Sequence, residues 1–213
     1  MTQGSSRTVA AFDLDGTLSK RDTLLPFLRG LCGNLALLKA VVAVGGPLAS
    51  ALVRNVNSRR GELKDQLLSQ LLDGMTDAEI TVAGQRFAHH VAASTGLRPS
   101  IYERWQMHRD AGHDLLIISA SLEVYVNPLA HLLGGKAGLG TKLEVRADGT
   151  LTGHIDGVNC RGEEKVRRLE AWLTATTADG ADPNDVEVFA YGDSSGDDAL
   201  LRRADHPTKV GRR

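Results

Sequence analysis

The stretch Val9-Ala10-Ala11-Phe12-Asp13-Leu14-Asp15-Gly16-Thr17-Leu18 limits what this chain can fold into more than any other. An uncharged run from Thr8 to Phe12 breaks off in two carboxylates one residue apart, followed by a glycine and a hydroxyl. The run is short and bounded by polar residues, which reads as a buried strand. Asp13 and Asp15 then fall where the strand gives way to a loop. In open α/β sheets that carboxyl edge is where ligands bind. Neighbouring aspartates repel each other, and a hard divalent cation with its preference for oxygen ligands is the usual reason to keep them together.

The remaining chain offers partners for such a strand. Asp114–Ile118 is a second apolar run and leads into Ser119-Ala120-Ser121; Val186–Tyr191 is a third and leads into Gly192-Asp193-Ser194-Ser195-Gly196-Asp197-Asp198. Pro207–Val210 reads as a final short strand, and Thr141–Ile155 as a hairpin turning on Ala147-Asp148-Gly149. Helical patterns begin at Pro99, Leu122 and Gly162 and after Asp197. Strands alternating with helices predict an α/β fold, a doubly wound and mostly parallel sheet covered on both faces.

Between residues 20 and 95 the pattern is helical throughout. Asp22-Thr23 reads as the cap of a helix from Leu24, with Phe27, Leu28, Leu31, Leu35 and Leu38 at helical spacing. A second helix is expected after Gly45-Gly46-Pro47 and a third from Glu62 to Asp73. Thr76-Asp77-Ala78-Glu79 is a capping box for a fourth. The expected organisation is a Rossmann-like core of residues 1–19 and 96–213, with an all-helical cap of residues 20–95 inserted after the first strand. An insert at that point lies over the carboxyl edge, where a lid would sit.

Composition narrows the class. Apolar residues make up 42% of the 213 and suffice for a core, and a formal charge of −1 gives no nucleic-acid footprint despite the terminal Arg212-Arg213. Cys32 and Cys160 read as free thiols of a reducing compartment, and Met1 to Thr8 lacks the apolar segment of a signal peptide, so the expected location is cytoplasmic. Residues 31–53 are rich in Leu, Ala and Val, but Lys39 and Gly45-Gly46-Pro47 interrupt them short of the ~20 residues a spanning helix needs. They read as a pair of short apolar helices, with a shallow membrane contact as the alternative.

A parallel sheet brings the strand ends to one edge. There Asp13, Asp15, Asp193 and Asp197 supply carboxylates, Ser119 a hydroxyl and Lys165, at the start of a helix, an ammonium. Carboxylates hold Mg²⁺, and a hydroxyl with an ammonium binds phosphate oxygens, the equipment of phosphoryl transfer. These residues, as Asp13-Leu14-Asp15-Gly16-Thr17-Leu18, Ser119, Lys165 and Gly192-Asp193 with Asp197, resemble the four motifs of the haloacid dehalogenase superfamily. The helical insert is similar to that of its phosphoserine-phosphatase-like branch, subfamily IB.

The resemblance implies a Mg²⁺-dependent phosphatase acting on a small phosphorylated metabolite. Asp13 would be the nucleophile and Asp15 the general acid and base; Ser119 and the backbone at Ala120 would hold the phosphate, and Lys165 would offset its charge. Mg²⁺ would lie among Asp13, the Asp15 carbonyl and Asp193, with Asp197 in support. The substrate-binding glutamate of phosphoserine phosphatases corresponds here to Asp22, and Ser119-Ala120-Ser121 departs from their Ser-Gly-Gly. Related branches include histidinol-phosphate and phosphatidylglycerol-phosphate phosphatases, so a lipid phosphate is one alternative substrate and a non-catalytic phosphate- or metal-binding module another reading.

Simpler roles go to several residues. Asp198 reads as a helix-terminal acid, Ser121 as a cap, and His89-His90 as surface histidines, since adjacent helical positions point apart. Arg59, Arg60 and Lys64 read as a solvated helix face, with contact to an acidic group of a substrate as the alternative.

Overall fold

The computed structural model describes residues 7–44, 59–177 and 185–211. Its five-stranded sheet is built from β1 (Thr8–Phe12), β2 (Asp114–Leu122), β3 (Ala137–Thr141), β6 (Glu187–Gly192) and β7 (His206–Lys209), in the order β3-β2-β1-β6-β7. Every pairing in it is parallel. The β1 stretch therefore lies at the centre of the sheet. The strands β4 (Leu143–Val145) and β5 (Leu151–Ile155) form a separate antiparallel hairpin.

Both faces of the sheet are covered, as near-continuous apolar strands require. Successive side chains alternate between faces. Ala10 and Phe12 of β1, with Leu115 and Ile117 of β2, enter one core, packed by α4 (Pro99–Asp110) through Trp105 and by α5 (Glu123–Leu132) through Tyr125 and Leu129. Val9 and Ala11, with Leu116 and Ile118, enter the other, packed by α6 (Glu163–Thr176) through Leu169 and Leu173 and by α7 (Asp198–Arg203) through Leu200. The fold is the expected α/β architecture.

Between β1 and α4 lie α1 (Leu24–Ala43), α2 (Arg59–Leu72) and α3 (Asp77–Ala93). The capping box of α3 forms as read: Glu79 N–H donates to Thr76 Oγ1 at 3.2 Å, and Thr76 N–H to Glu79 Oε2 at 2.9 Å. The hairpin joins this helical block. Ile155 N–H donates to Asp65 of α2 at 2.8 Å, and Leu151 N–H to the Met75 carbonyl at 2.7 Å.

Three details differ from the sequence reading. The helix from Leu24 is broken at Gly33, whose φ of 82° and ψ of 162° no helix contains. Phe27 and Leu28 are buried before the break, whereas Leu35 and Leu38 beyond it are exposed, so the leucines do not form one stripe. The expected break at Gly45-Gly46-Pro47 and the helix after it lie outside the described residues. Second, β3 occupies Ala137-Gly138-Leu139-Gly140-Thr141, where no strand was expected. Its glycines are there for closeness: a Cβ on Gly138 would stand 2.3 Å from the Val126 carbonyl of α5, and one on Gly140 2.6 Å from the Glu123 backbone. Third, of the expected pair only Asp22 caps α1, accepting the Leu25 N–H at 3.1 Å, while the Thr23 side chain makes no cap bond.

Candidate active site

Strand register decides which side chains meet. Phe12 pairs with Ile117 on one side and with Tyr191 on the other, so Asp13 comes level with Ile118 and Gly192. Ser119 and Asp193 then sit one residue beyond, on the same edge. Asp13 N–H continues the ladder to the Tyr191 carbonyl at 2.9 Å, which fixes the backbone beneath its carboxylate. The next residues turn back tightly, with Ser19 N–H donating to Leu14 O at 2.8 Å. Gly16 makes that turn possible with φ of 85°, and a Cβ there would stand 2.7 Å from Asp193 Oδ2. No other residue type combines that φ with that approach.

Lys165 is the electrostatic centre. It is buried in the first turn of α6, and its ammonium donates to Asp13 Oδ1 and to Asp197 Oδ1, each at 2.6 Å. Gly162 N–H donates to the Gly196 carbonyl at 2.9 Å and ties the start of α6 to the loop after β6. Burial opposes the Lys165 charge, but the two carboxylates more than offset it and hold the ammonium above the usual lysine range. Burial likewise acts to raise Asp197, yet Lys165 and the N–H and hydroxyl of Ser194 keep it below the usual carboxylate range. Asp13 moves the other way: burial pushes it up to about 7, with the Lys165 charge opposing and those of Asp197 and Asp15 adding.

Oxygens of Asp13, Asp193 and Asp197 lie within 4.8 Å of one another. Converging carboxylate oxygens of this kind are what a hard divalent cation takes as ligands. The donor set therefore fits Mg²⁺. The Asp15 carboxylate is not part of this group. Its Oδ1 accepts from Thr23 N–H and Thr23 Oγ1, both at 2.7 Å, and its Oδ2 from Ser121 Oγ at 2.5 Å. Burial, helped by the charge of Asp22, raises Asp15 to about 6 against those hydrogen bonds.

Asp13, Asp15, Asp22, Ser119, Ala120, Lys165, Asp193 and Asp197 all line one cavity of about 430 Å³, so the structure brings every expected site residue together. Ser119 is buried, and its Oγ accepts the Ser121 N–H at 3.1 Å, leaving the hydroxyl hydrogen for another acceptor. Asp22 is exposed at the rim. Lys20, Arg21, Arg98 and Arg161 also line the cavity and were not singled out from the sequence. Arg98 donates to the Gly16 carbonyl at 2.6 Å and so braces the loop carrying Asp15. Its position just before Pro99, at a helix start, gave no sign of this.

Two sequence readings are corrected. Ser121 is not a helix cap; it holds Asp15 and shares a buried hydroxyl group of contacts with Thr23, which lies 3.2 Å from the Tyr125 hydroxyl. Lys64 is not solvated; it is buried, and its ammonium donates to the Ala120 carbonyl at 2.5 Å and to Asn159 Oδ1 at 3.0 Å. Burial pushes it down to about 8. The side chains of Arg59 and Arg60 lie outside the described residues. His89 and His90 are exposed, as read.

A parallel sheet whose central strand ends in aspartates beside a buried lysine and the carboxylates of a neighbouring strand end has the groups that phosphoryl transfer uses. The sequence matches the family of haloacid dehalogenase-like hydrolases over residues 10–202, and the chain belongs to that family. It is similar to Protein CicA of Caulobacter vibrioides, 35% identical over 206 residues that cover 95% of this chain and 85% of that protein. A histidinol-phosphatase of Neisseria meningitidis is 36% identical over 105 residues, 49% of this chain and 46% of its own. Among solved structures, a phospho-aspartyl intermediate analogue of phosphoserine phosphatase shares the fold with a TM-score of 0.58 and 19% identity, covering 94% of this chain and 84% of that one.

Proposed function

We propose that the chain is a Mg²⁺-dependent phosphomonoester hydrolase that acts on a small phosphorylated metabolite through an aspartyl-phosphate on Asp13. The observation that carries this reading is Lys165, buried and bonded to both Asp13 and Asp197 at the floor of the cavity. Without such a cation an anionic nucleophile could not approach an anionic phosphate. Mg²⁺ held by Asp13, Asp193 and Asp197, with the Asp15 carbonyl, would supply charge neutralisation and fix the phosphate for in-line attack. The free Asp13 oxygen forms the new bond to phosphorus while the ester P–O bond breaks. Asp15 gives its proton to the departing alkoxide; a carboxyl near 6 is protonated often enough to do so at neutral pH. The same group then takes a proton from the water that attacks phosphorus and releases Asp13. Ser119 and the Ala120 backbone hold phosphate oxygens.

Residues 20–95 would act as the cap, with Asp22 at the cavity rim meeting a cationic group of the substrate. The histidinol-phosphatase relative supports an amine-bearing phosphate ester, histidinol-phosphate- or phosphoserine-like. Two free thiols support a reducing, cytoplasmic setting. Incubation with Mg²⁺ and an aryl phosphate, followed by a panel of phosphorylated amino alcohols and amino acids, tests the reading. Release of phosphate that stops on chelation is expected; no release from any of them would overturn it. Asp13→Asn should lower turnover by at least ~10³-fold, and the native protein, not the variant, should bind beryllium fluoride at residue 13.

A further inference from the structure

We propose that the outer half of α1, beyond Gly33, lies on the surface of an anionic lipid bilayer. Among the described residues α1 is the helix long and apolar enough to cross a membrane, yet only 17% of its most apolar 18-residue window is buried in the fold. Leu35, Leu38 and Val42 are 65%, 60% and 61% exposed. Their spacing of three and four places them on one face. The opposite side of this half is spoken for: Ala40 is buried against the protein. A helix with one face packed in a fold cannot pass through a bilayer of ~30 Å hydrocarbon, but it can lie flat with its free face in the headgroup region.

Charge identifies the occupant. The helix α1 carries Arg29 and Lys39 and no Asp or Glu, in a chain whose basic and acidic totals are 25 and 26. Lys39 sits exposed within the apolar face itself. A second copy of the chain meeting this face symmetrically would oppose like charges, whereas anionic headgroups supply the opposite sign and acyl chains take the leucines. The geometry also relates this surface to the cavity: α1 begins directly after Asp22 and Thr23, which stand at the rim and behind Asp15, with no linker between.

The test is sedimentation with vesicles of phosphatidylcholine alone and of phosphatidylcholine mixed with phosphatidylglycerol. The native protein should pellet with the mixed vesicles, at least ~10-fold more than with the neutral ones and less so as salt is raised. The combined variant Leu35→Asp, Leu38→Asp, Val42→Asp should lose that binding while its aryl phosphate turnover is unchanged. Lys39→Glu, a single exposed change, should weaken binding on its own should the triple variant fail to fold. Absence of binding to either vesicle, or equal binding by the variants, overturns the proposal. So does a native dimer that the variants turn into monomer without any vesicle binding, since a second copy then covers the face. Binding is read without turnover, so this proposal and the phosphatase reading fail separately.

Discussion

Lys165 does at residue scale what no single carboxylate can. It bridges the residue that follows β1 to one in the loop after β6, at 2.6 Å to each. Lys165→Met would leave Asp13 and Asp197 buried beside Asp193 with no ammonium. Breaking a buried ion pair from one side costs about 3–5 kcal/mol, and loss of a group that stabilises developing charge costs ~10²-fold or more in turnover. Both effects are expected, read by thermal melting and by aryl phosphate kinetics, and added Mg²⁺ should return part of the melting temperature but little of the turnover. Unchanged turnover would remove Lys165 from the site. Asp13 was legible in the sequence because it follows a clear strand pattern, and Lys165, an ordinary helix charge by itself, only through the company of Asp13, Ser119 and Asp193. Lys64, Thr23 and Ser121 were not. Their roles depend on partners 56, 8 and 106 positions away, and neither spacing nor residue type announces such contacts. A lysine on a predicted helix is solvated in most folds, and only the packing of α2 against the core shows that this one is buried.

At the scale of elements, what could be read were the features with local causes. The capping box at Thr76 and the strand ends after Phe12 and Tyr191 are written in consecutive residues. The strand β3 is not, because its two glycines serve the neighbouring helix α5 and not the strand itself. The two kinds of element respond differently to substitution. Thr76→Ala removes an exposed cap and should cost about 1 kcal/mol. Gly138→Ala puts a methyl group against the Val126 carbonyl at 2.3 Å, so α5 or β3 must move, at about 1–3 kcal/mol. Because Ser119 and Ser121 lie on β2, which pairs with β3 and runs into α5, Gly138→Ala should also impair turnover while Thr76→Ala leaves it alone. Urea midpoints with parallel kinetics compare them, and equal damage to activity by both would contradict the packing argument.

For the whole molecule, one buried histidine couples stability to pH. His108 of α4 bonds to the Tyr191 hydroxyl at 2.9 Å and to His113 at 2.8 Å, joining two layers of the fold. Burial lowers it from 6.5 to about 4, with the charges of His113 and Arg104 adding. Below 6.5 the unfolded chain therefore takes up a proton that the folded chain refuses. The contribution of His108 to stability is complete above pH 6.5 and is lost as pH falls from there towards about 4. Other buried groups titrate too, so the difference between native protein and His108→Gln isolates it. The native chain should lose stability across this range more steeply than the variant, as urea midpoints will show; parallel curves would refute the assignment.

The central position of β1 has a consequence in time. The first strand of this fold to be made is the middle of the finished sheet, and its neighbour β6 is separated from it by 179 residues, from Thr8 to Glu187. At ~5–20 residues per second, synthesis keeps β1 without that neighbour for roughly 10–35 s. During this interval an apolar strand has one side unpaired, the condition under which nascent chains associate wrongly or recruit chaperones. The site is completed later still, since the carboxylate of Asp197 that shares Lys165 with Asp13 lies beyond β6. A chain stopped before β6 would hold Asp13 on an open edge.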